Sequence, residues 1–321
     1  MKKVFCTLLL LGSAISCFAQ HQANKKNRTS HDFDPPWNTP PKSSVIFTIP
    51  GIDNVPDLFG DINDPQLVVF FAGNQYMCID SLVKAFKQQY PVYKKIFIET
   101  LPPGILAQSI RGGTITIGNL RITQKPDVYT AGRKRINQEM AYLKDTVTYT
   151  HNRLAIMVAK NNPKNIRGLK DLGQKNIRIS MPNPAWEGIA GQIQTAYEKA
   201  GGLELKNKIM VQKVKAGTTI LTKIHHRETP MNIINGDCDA GPVWQSEALY
   251  HVMLGHPVTM ISIPDSQNVT ASYVAGILKN APHPKAAKRF RDFLASKTAK
   301  DIYAFYGFEN NKSAIKPKSQ Q

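Results

Sequence analysis

The sequence predicts an α/β protein built from sheets of mainly parallel strands with helices on both faces. Continuous apolar runs, such as residues 66–72, are typical of strands that are buried on both faces of a parallel sheet. Segments with apolar residues at helical spacing follow these runs, as in residues 74–91. The alternation extends over roughly 250 residues, which exceeds one comfortable hydrophobic core. We therefore expect two such sheets.

Strands and helices alternate along most of the chain. Besides a short strand within 44–50, apolar runs predict strands at residues 66–72, 95–101, 126–132, 148–160, 176–181, 208–214, 238–244, 259–264 and 270–278. Helical spacing predicts helices within residues 74–91, 103–113, 133–145, 183–202 and 230–236, and two more within 283–308. Gly201 is predicted to end the helix that contains it, because glycine favours the position after a helix.

The N-terminal segment predicts a signal peptide, residues 1–19. Two lysines precede an apolar stretch at residues 4–11, and mostly small residues follow up to Ala19. This order is typical of a secretory signal, with cleavage after Ala19. A lipoprotein site, with lipid on Cys17, is the alternative. In either case we expect a periplasmic or secreted protein.

Residues 20–44 are polar and rich in proline and asparagine, which predicts an arm without regular structure. Beyond the signal segment the sequence contains only Cys78 and Cys238, too few for a disulfide-dense scaffold. Because we place these cysteines in different parts of the fold, we expect two buried thiols, with a single disulfide bridge as the alternative.

The composition is strongly basic, with a formal net charge of +18. The lysines are dispersed and no arginine-rich run or stripe of basic and aromatic residues occurs, so we do not expect a nucleic-acid partner. A solvated basic surface and an anionic ligand are the remaining interpretations. No further stretch of the sequence approaches the length of a membrane span.

Four aspartates, Asp53, Asp57, Asp61 and Asp64, lie in a segment rich in turn residues. Their spacing lacks the glycine and the closing glutamate of a calcium-binding loop, so we interpret them as turn residues.

Ligands of open α/β sheets bind where strands end and helices begin. At three such junctions we predict that Asn74, Asn183 and Thr229 cap the helix that follows. A fourth junction begins a helix with three cations, at residues 133–135. Cations oppose the dipole at a helix N-terminus, which indicates either a solvated helix end or a visiting anion.

The stretch His225-His226-Arg227-Glu228 permits several interpretations. His225, His226 and Glu228 are suitable metal ligands, but adjacent residues do not share a helix face and the spacing matches no zinc pattern. No nucleophile motif accompanies the histidines, which disfavours catalysis. A surface loop whose histidines cap helix ends, and an anion site in front of a helix, are the other interpretations.

The order of motifs resembles that of the periplasmic solute-binding proteins of ABC importers, in particular the molybdate- and tungstate-binding type. The resemblance extends over about residues 66–308. Its motifs are LVVFFAGNQYMCIDSLVKAF, PDVYTAG, NPAWEGIAGQIQTAYEKAGG, NGDCDAGPVWQSEAL and HPKAAKRFRDFLAS with the later YGF.

This resemblance implies two α/β lobes joined by two crossing strands, with the ligand in the cleft between the lobes. The implied lobes are residues 45–153 plus 273–321 and residues 154–272, and residues 151–160 and 270–278 would be the hinges. The implied role is to deliver a ligand to an ABC permease. We expect a monomer, no cofactor and no enzymatic activity.

The implied ligand is a small anion, with molybdate or tungstate favoured. The sequence departs from the family pattern at Ala72-Gly73-Asn74-Gln75, where serine is usual, and at Trp244 and Glu247, which replace tyrosine and aspartate. A carboxylated organic anion, a metal or metal complex held by the histidines, and an exported enzyme are the alternatives. The predicted ligand-binding residues are Ala72, Gly73, Asn74, Gln75, Thr130, Trp186, Glu187, Gly188, His225, His226, Arg227, Glu228 and Trp244.

Overall fold

The structure, a computed structural model, describes residues 44–49 and 55–310. The predicted signal peptide lies outside the described residues. So does the predicted arm, apart from its last residue, Ser44, which begins a strand. Within the described part of the chain, no helix combines the length and the apolar content that crossing a membrane requires.

Strands and helices alternate as predicted. The strands are β1 (Ser44–Phe47), β2 (Leu58–Asp61), β3 (Leu67–Ala72), β4 (Ile96–Leu101), β5 (Ile115–Ile117), β6 (Leu120–Ile122), β7 (Val128–Gly132), β8 (Leu143–Ala159), β9 (Ile179–Met181), β10 (Thr219–Leu221), β11 (Ala240–Trp244), β12 (Val258–Ser262) and β13 (Thr270–Leu278). The helices are α1 (Tyr76–Gln89), α2 (Pro103–Gly112), α3 (Arg133–Gln138), α4 (Gly188–Asn207), α5 (Glu228–Ile234), α6 (Gln245–Met253), α7 (Pro284–Leu294) and α8 (Lys297–Phe305). Short 3-10 helices occupy Gly73–Gln75 and Leu169–Gly173.

The strands form one long mixed sheet and a small hairpin of β5 and β6. The order of the long sheet is β1-β2-β4-β3-β7-β13-β8-β11-β9-β10, with β12 also paired to β8. β3 is parallel to β4 and β7, and β9 is parallel to β10 and β11. The long strands β8 and β13 are antiparallel to each other and join the two parallel regions. The α/β fold class predicted from the sequence is confirmed, but the two expected sheets are one continuous sheet, because β8 and β13 pair with strands of both parallel regions.

Two separate pairs of hydrophobic clusters divide the protein into two lobes. In what we call lobe I, alternate side chains of β3 enter two clusters, one with α1, α7 and α8 and the other with β4, α2 and β7. In lobe II, alternate side chains of β8 from Leu154 onward enter clusters with α4 and β9 on one face and with α5 and β11 on the other. β8 and β13 run between the lobes, and the predicted lobe boundaries remain a prediction.

Helix α1 shows how the local pattern produces the packing. Ile79, Leu82, Val83 and Phe86 recur at helical spacing and are all buried, as predicted. The ring of Phe86 lies 5.0 Å from that of Phe290, centroid to centroid, so α1 and α7 are joined by aromatic contacts.

The two cysteines of the described chain are free and buried, as expected. Cys78 belongs to a lobe I cluster and Cys238 to a lobe II cluster, so each lobe contains one thiol.

The strand predicted at residues 208–214 is wrong. Residues Lys208–Gln212 form a π-helical turn and Lys213–Lys215 an α-helical turn, both continuous with α4. The helix does break where predicted, at Gly201–Gly202, but it resumes at once. The helical course buries Lys213, whose Nζ donates to the carbonyl oxygens of Gln174 and Ile177 at 2.6 Å each. These tertiary contacts override the apolar, β-branched run that predicted a strand.

The three predicted helix caps are also wrong, because each side chain has a different partner. Asn74 Nδ2 donates to the hydroxyl of Tyr273. Asn183 Oδ1 accepts from the backbone N–H of Ala185 at 3.0 Å, before α4 begins. Thr229 lies inside α5, and its hydroxyl accepts from Ser180 Oγ at 3.1 Å.

A buried acid in β4 makes stability dependent on pH. Glu99 is fully buried, and neither of its carboxyl oxygens has a hydrogen-bond partner among the described residues. Burial raises the pKa of Glu99 from 4.5 to about 8. Between these values the carboxyl group ionises in the unfolded chain but stays protonated in the folded one, so folding stability falls as the pH rises.

We therefore expect Glu99→Gln to stabilise the protein relative to the wild type by an amount that grows from pH 5 to pH 8. Loss of this one ionisation changes the free energy of unfolding by at most about 1.4 kcal/mol per pH unit. Urea unfolding at both pH values measures the effect. Glu198→Gln, at a partly exposed site on α4, is the control. An E99Q effect that does not change with pH would contradict the prediction.

Candidate functional site

A cavity of about 650 Å³ lies between the two lobes. The lobe I residues that line it are Ala72, Asn74, Pro103, Gly104, Gly132, Arg133, Lys134, Arg135, Asn137 and Gln138. The lobe II residues are Pro184, Ala185, Trp186, Glu187, Gly188, Ile189, Gly191, Gln192, His226 and Trp244, and β13 adds Thr270, Ala271, Ser272 and Tyr273. The cavity therefore lies at strand-to-helix junctions, where open α/β sheets bind ligands.

The lobe I wall is basic. Helix α3 begins at Arg133, as predicted, and has no acidic residue in its first turn. Arg133 Nη2 donates to the hydroxyl of Thr148, and Arg135 Nη1 lies 3.8 Å from the carboxylate of Glu139. Arg133 and Lys134 are exposed, and neither forms an ion pair with a described residue. Two cations on this wall are therefore available to an anion.

The lobe II wall is formed by the start of α4 and the loop before it. Trp186 Nε1 donates to the carbonyl oxygen of Ile224 at 3.0 Å, which fixes the indole. Next to the cavity the lobes are in contact, because a Cβ on Gly104 of lobe I would lie 3.4 Å from the carbonyl oxygen of Trp186. A larger residue than glycine would narrow the space between the two walls at this point.

His226 lies in the lobe II wall between two carboxylates. Its Nδ1 is 3.1 Å from Glu187 Oε2, and its Nε2 is 3.8 Å from Glu247 Oε1. Burial alone would lower the pKa of His226, but the carboxylates of Glu247 and Glu187 raise it above its ordinary value. The two carboxylates thus favour the protonated imidazole, whose positive charge offsets part of theirs.

His225 and Arg227 contact Asp57 of lobe I, although the ring of His225 lies only 5.8 Å from that of His226, centroid to centroid. Arg227 Nη2 donates to Asp57 Oδ1 at 2.8 Å, and His225 Nε2 lies 3.3 Å from the same oxygen. All three side chains are buried. Burial would raise the pKa of Asp57, but His225 and Arg227 hold it below its ordinary value. We call Asp57, His225 and Arg227 the Asp57 cluster, which joins the two lobes.

Other lobe I residues accommodate His225 and Arg227 of the Asp57 cluster. The guanidinium of Arg227 lies 5.5 Å from the ring centroid of Tyr76, a cation–π contact. A Cβ on Gly73 would meet His225 Cε1 at 2.6 Å, so the site at Gly73 accepts only glycine without rearrangement. Burial is the largest influence on His225 and lowers its pKa to about 3, which leaves this imidazole neutral at pH 7.

Glu228 organises the loop from within. Its carboxylate accepts from the backbone N–H groups of Lys223, Ile224 and His225, at distances of 2.6 to 3.0 Å. The side chain does not line the cavity. The side chains of these four consecutive residues therefore point in three directions. His225 and Arg227 face Asp57, and His226 faces the cavity. Glu228 faces its own loop.

This arrangement contradicts two interpretations of the sequence. The stretch is not a surface loop, because His225, His226 and Arg227 are all buried. The alternative metal site at His225, His226 and Glu228 does not form, since the three side chains have separate partners. Within residues 44–49 and 55–310, no group of three or more histidine, cysteine, aspartate or glutamate side chains is placed to hold a metal ion.

The predicted ligand-binding residues divide into two sets. Ala72, Asn74, Trp186, Glu187, Gly188, His226 and Trp244 line the cavity, and Gly73, Gln75, Thr130, His225, Arg227 and Glu228 do not. Gln75 belongs to a buried network in lobe I. Its Nε2 donates to Thr130 Oγ1 at 3.1 Å, and its Oε1 accepts from the hydroxyls of Tyr149 and Tyr303 at 2.7 and 2.8 Å.

Sequence reasoning missed the role of Asp57. Interpreted as one of four turn aspartates, it is instead the lobe I partner of the Asp57 cluster. Asp61 does behave as a turn residue, since its Oδ1 accepts from the backbone N–H of Asp64 at 3.0 Å. Asp53 lies outside the described residues. Tyr273 was also missed, although it belongs to a correctly predicted strand, because only the fold brings its hydroxyl to Asn74.

We expect Arg227→Met to lower the free energy of unfolding by about 3–5 kcal/mol, because it leaves the Asp57 carboxylate buried beside a neutral imidazole. The double variant Asp57→Asn/Arg227→Met removes both charges, and we expect it to regain much of this loss. Chemical denaturation measures both values. Arg289→Met, at an exposed site on α7, is the control. A double variant that is less stable than Arg227→Met would contradict the prediction.

Comparison with known proteins identifies the family. A family model described as bacterial extracellular solute-binding protein matches residues 67–309. The molybdate-binding protein ModA of Mycobacterium bovis is 26% identical over 160 residues, which are 50% of this chain and 55% of that protein. The same values hold for ModA of Mycobacterium tuberculosis. The chain thus aligns with about half the length of these curated relatives.

Solved structures share the fold at low sequence identity. The sulfate-binding protein SubI from Mycobacterium tuberculosis has a TM-score of 0.62 at 18% identity, covering 75% of this chain and 85% of that chain. The periplasmic molybdate-binding protein of Azotobacter vinelandii has a TM-score of 0.62 at 17% identity, covering 78% of this chain and 100% of that chain. The resemblance inferred from the sequence motifs is confirmed. The chain belongs to the family of bacterial extracellular solute-binding proteins.

Proposed function

We propose that this solute-binding protein captures a small anion in the cleft between its lobes and delivers it to an ABC permease. Molybdate and tungstate are the first candidates. The observation that carries the proposal is the basic wall of the cavity, where Arg133 and Lys134 have no carboxylate partner among the described residues.

Arg133 and Lys134 lie in an unfavourable position unless an anion binds next to them. Each opposes the dipole of α3, which costs roughly 0.3–1 kcal/mol per exposed cation. Across the cavity, the first turn of the long helix α4 contributes Gly188 and Ile189, and the N-terminus of a helix attracts negative charge. An anion in the cavity would be attracted by the two cations of the lobe I wall while it contacts the first turn of α4 in lobe II, and would thereby favour contact between the lobes.

The relatives support the same class of ligand. Three of the reported proteins, two ModA relatives and one structural neighbour, are named as molybdate-binding, and another structural neighbour is named as sulfate-binding. Molybdate, tungstate and sulfate are all tetrahedral oxyanions. The volume of about 650 Å³ is also within the range of pockets for small organic ligands, which supports a carboxylated organic anion as the second candidate. Export, delivery to a permease and a monomeric state are part of the proposal, supported by the predicted signal peptide and the family.

The direct test is the melting temperature of the protein from residue 20 onward, with molybdate, tungstate, sulfate, phosphate, small carboxylates and zinc. A ligand at 100 times its dissociation constant should add about 2.7 kcal/mol of stability. In a chain of this size we expect a shift of several degrees. A shift by one or more anions supports the proposal. A shift by zinc alone, or by none of these compounds, would contradict it.

We expect the double variant Arg133→Gln/Lys134→Gln to bind the anion that shifts the wild type about tenfold more weakly, because both available cations of the lobe I wall are lost. The dependence of affinity on salt should also become weaker. Titration calorimetry at two salt concentrations measures both effects. Lys288→Gln/Arg289→Gln, on exposed positions of α7, removes the same charge away from the cavity and is the matched control. Equal losses of affinity in the two double variants would show that affinity depends only on the net charge of the protein, and would contradict the prediction.

A further inference from the structure

The cavity also has an acidic side, which a site for fully ionised oxyanions does not need. Glu187 immediately precedes α4, lines the cavity and is 4% exposed. It lies in the wall opposite Arg133 and Lys134. A ligand that fills the cavity therefore meets cations on the lobe I side and a carboxylate on the lobe II side.

The hydrogen bonds of Glu187 are incomplete. Its Oε2 is 3.1 Å from His226 Nδ1, whereas its Oε1 has no hydrogen-bond partner among the residues that the structure describes. An ionised carboxylate only accepts hydrogen bonds. A buried acceptor without a donor is unfavourable, so a donor group on a ligand that reaches this oxygen would stabilise it.

His226 does not convert this wall into an anion site. Its Nδ1 contacts Glu187 Oε2, and its Nε2 lies 3.8 Å from Glu247 Oε1, so both ring nitrogens face other carboxylate oxygens. The guanidinium of Arg227 donates to Asp57. Glu187 Oε1 thus receives no hydrogen bond from this stretch.

The chemistry of the ligand follows from these two walls. A fully ionised oxyanion such as sulfate or molybdate carries only acceptors, and next to Glu187 it would place acceptor against acceptor and negative charge against negative charge. An anion that keeps a proton, or that carries an ammonium group, donates to Glu187 Oε1 while its charged oxygens face Arg133 and Lys134.

We propose that the ligand of this cleft is an anion that also donates a hydrogen bond, and that Glu187 selects for it. The proposal rests on the proposed function, anion capture, and narrows its ligand class, because it ranks anions with a donor ahead of molybdate and tungstate. A purely structural role for Glu187, holding His226 or complementing the dipole of α4, predicts no change in the order of preference among anions.

The test compares two matched pairs of ligands near pH 7. Hydrogen phosphate and sulfate differ in whether the oxyanion keeps a proton. 2-Aminoethanesulfonate and ethanesulfonate differ only in an ammonium group, because a sulfonate keeps no proton at this pH. Dissociation constants are measured for the wild type, for Glu187→Gln and for Glu198→Gln. Glu198 lies on the same helix, pairs with Lys206 at 2.6 Å and does not line the cavity, so it is the matched control.

In at least one pair, we expect the wild type and E198Q to bind the ligand with the hydrogen-bond donor more tightly than its partner. The pair that shows this preference tells whether the donor is a retained proton or an ammonium group. In E187Q that preference should fall by about tenfold or more, because a charge-assisted hydrogen bond is lost, and the partner without a donor should bind more tightly. Glu187→Asp keeps the charge and should keep the order of preference. It serves as the second variant if E187Q does not fold.

Two results would overturn the proposal. If the wild type binds sulfate or molybdate at least as tightly as hydrogen phosphate, shows no preference for the ammonium group, and E187Q leaves this order unchanged, then Glu187 does not select the ligand. Anion capture would stand in that case. If none of these anions binds the wild type, anion capture itself fails and this proposal fails with it.

Discussion

The arrangement of the cleft depends on one buried ion pair between the lobes, Asp57 with Arg227. Both side chains are almost completely removed from water, and their desolvation offsets much of their attraction, so the pair adds little net stability compared with an apolar contact. Its main effect is to fix the orientation of the neighbouring side chains. His225 and Arg227 both face Asp57, and His226 between them consequently faces the cavity. The contact between lobes and the orientation of a cavity residue are thus set by the same interaction.

The two walls of the cavity have opposite character because different elements form them. The basic wall is local in origin, since residues 133–135 begin α3 directly after β7. The acidic wall is assembled from the residue before α4 and the loop before α5, which contribute Glu187 and His226. Glu247, in the first turn of α6, does not line the cavity but lies 3.8 Å from His226. The net charge of the chain therefore does not predict the distribution of charge in the cleft. The chain is strongly basic, yet its cleft combines both signs.

The sequence predicted the features that have a local cause. Buried strands and amphipathic helices show their period within a few residues. Asn74, Trp186 and Glu187, chosen from strand-to-helix junctions, line the cavity, and their contact with a ligand remains a prediction. Features that depend on residues far apart in the sequence were not predicted. Asp57 and Arg227 are separated by 170 positions, and Asn74 and Tyr273 by 199. Residues 208–214 have a strand-like composition, but the fold requires Lys213 in a helical turn.

The distribution of the cysteines has a practical consequence. Burial raises the pKa of Cys78 well above its ordinary value and that of Cys238 to about 11, so neither thiol reacts readily while its lobe stays closed around it. A thiol reagent can modify each one only during local opening. Because Cys78 belongs to lobe I and Cys238 to lobe II, labelling rates read by peptide mass report the opening of each half separately, without any engineered probe.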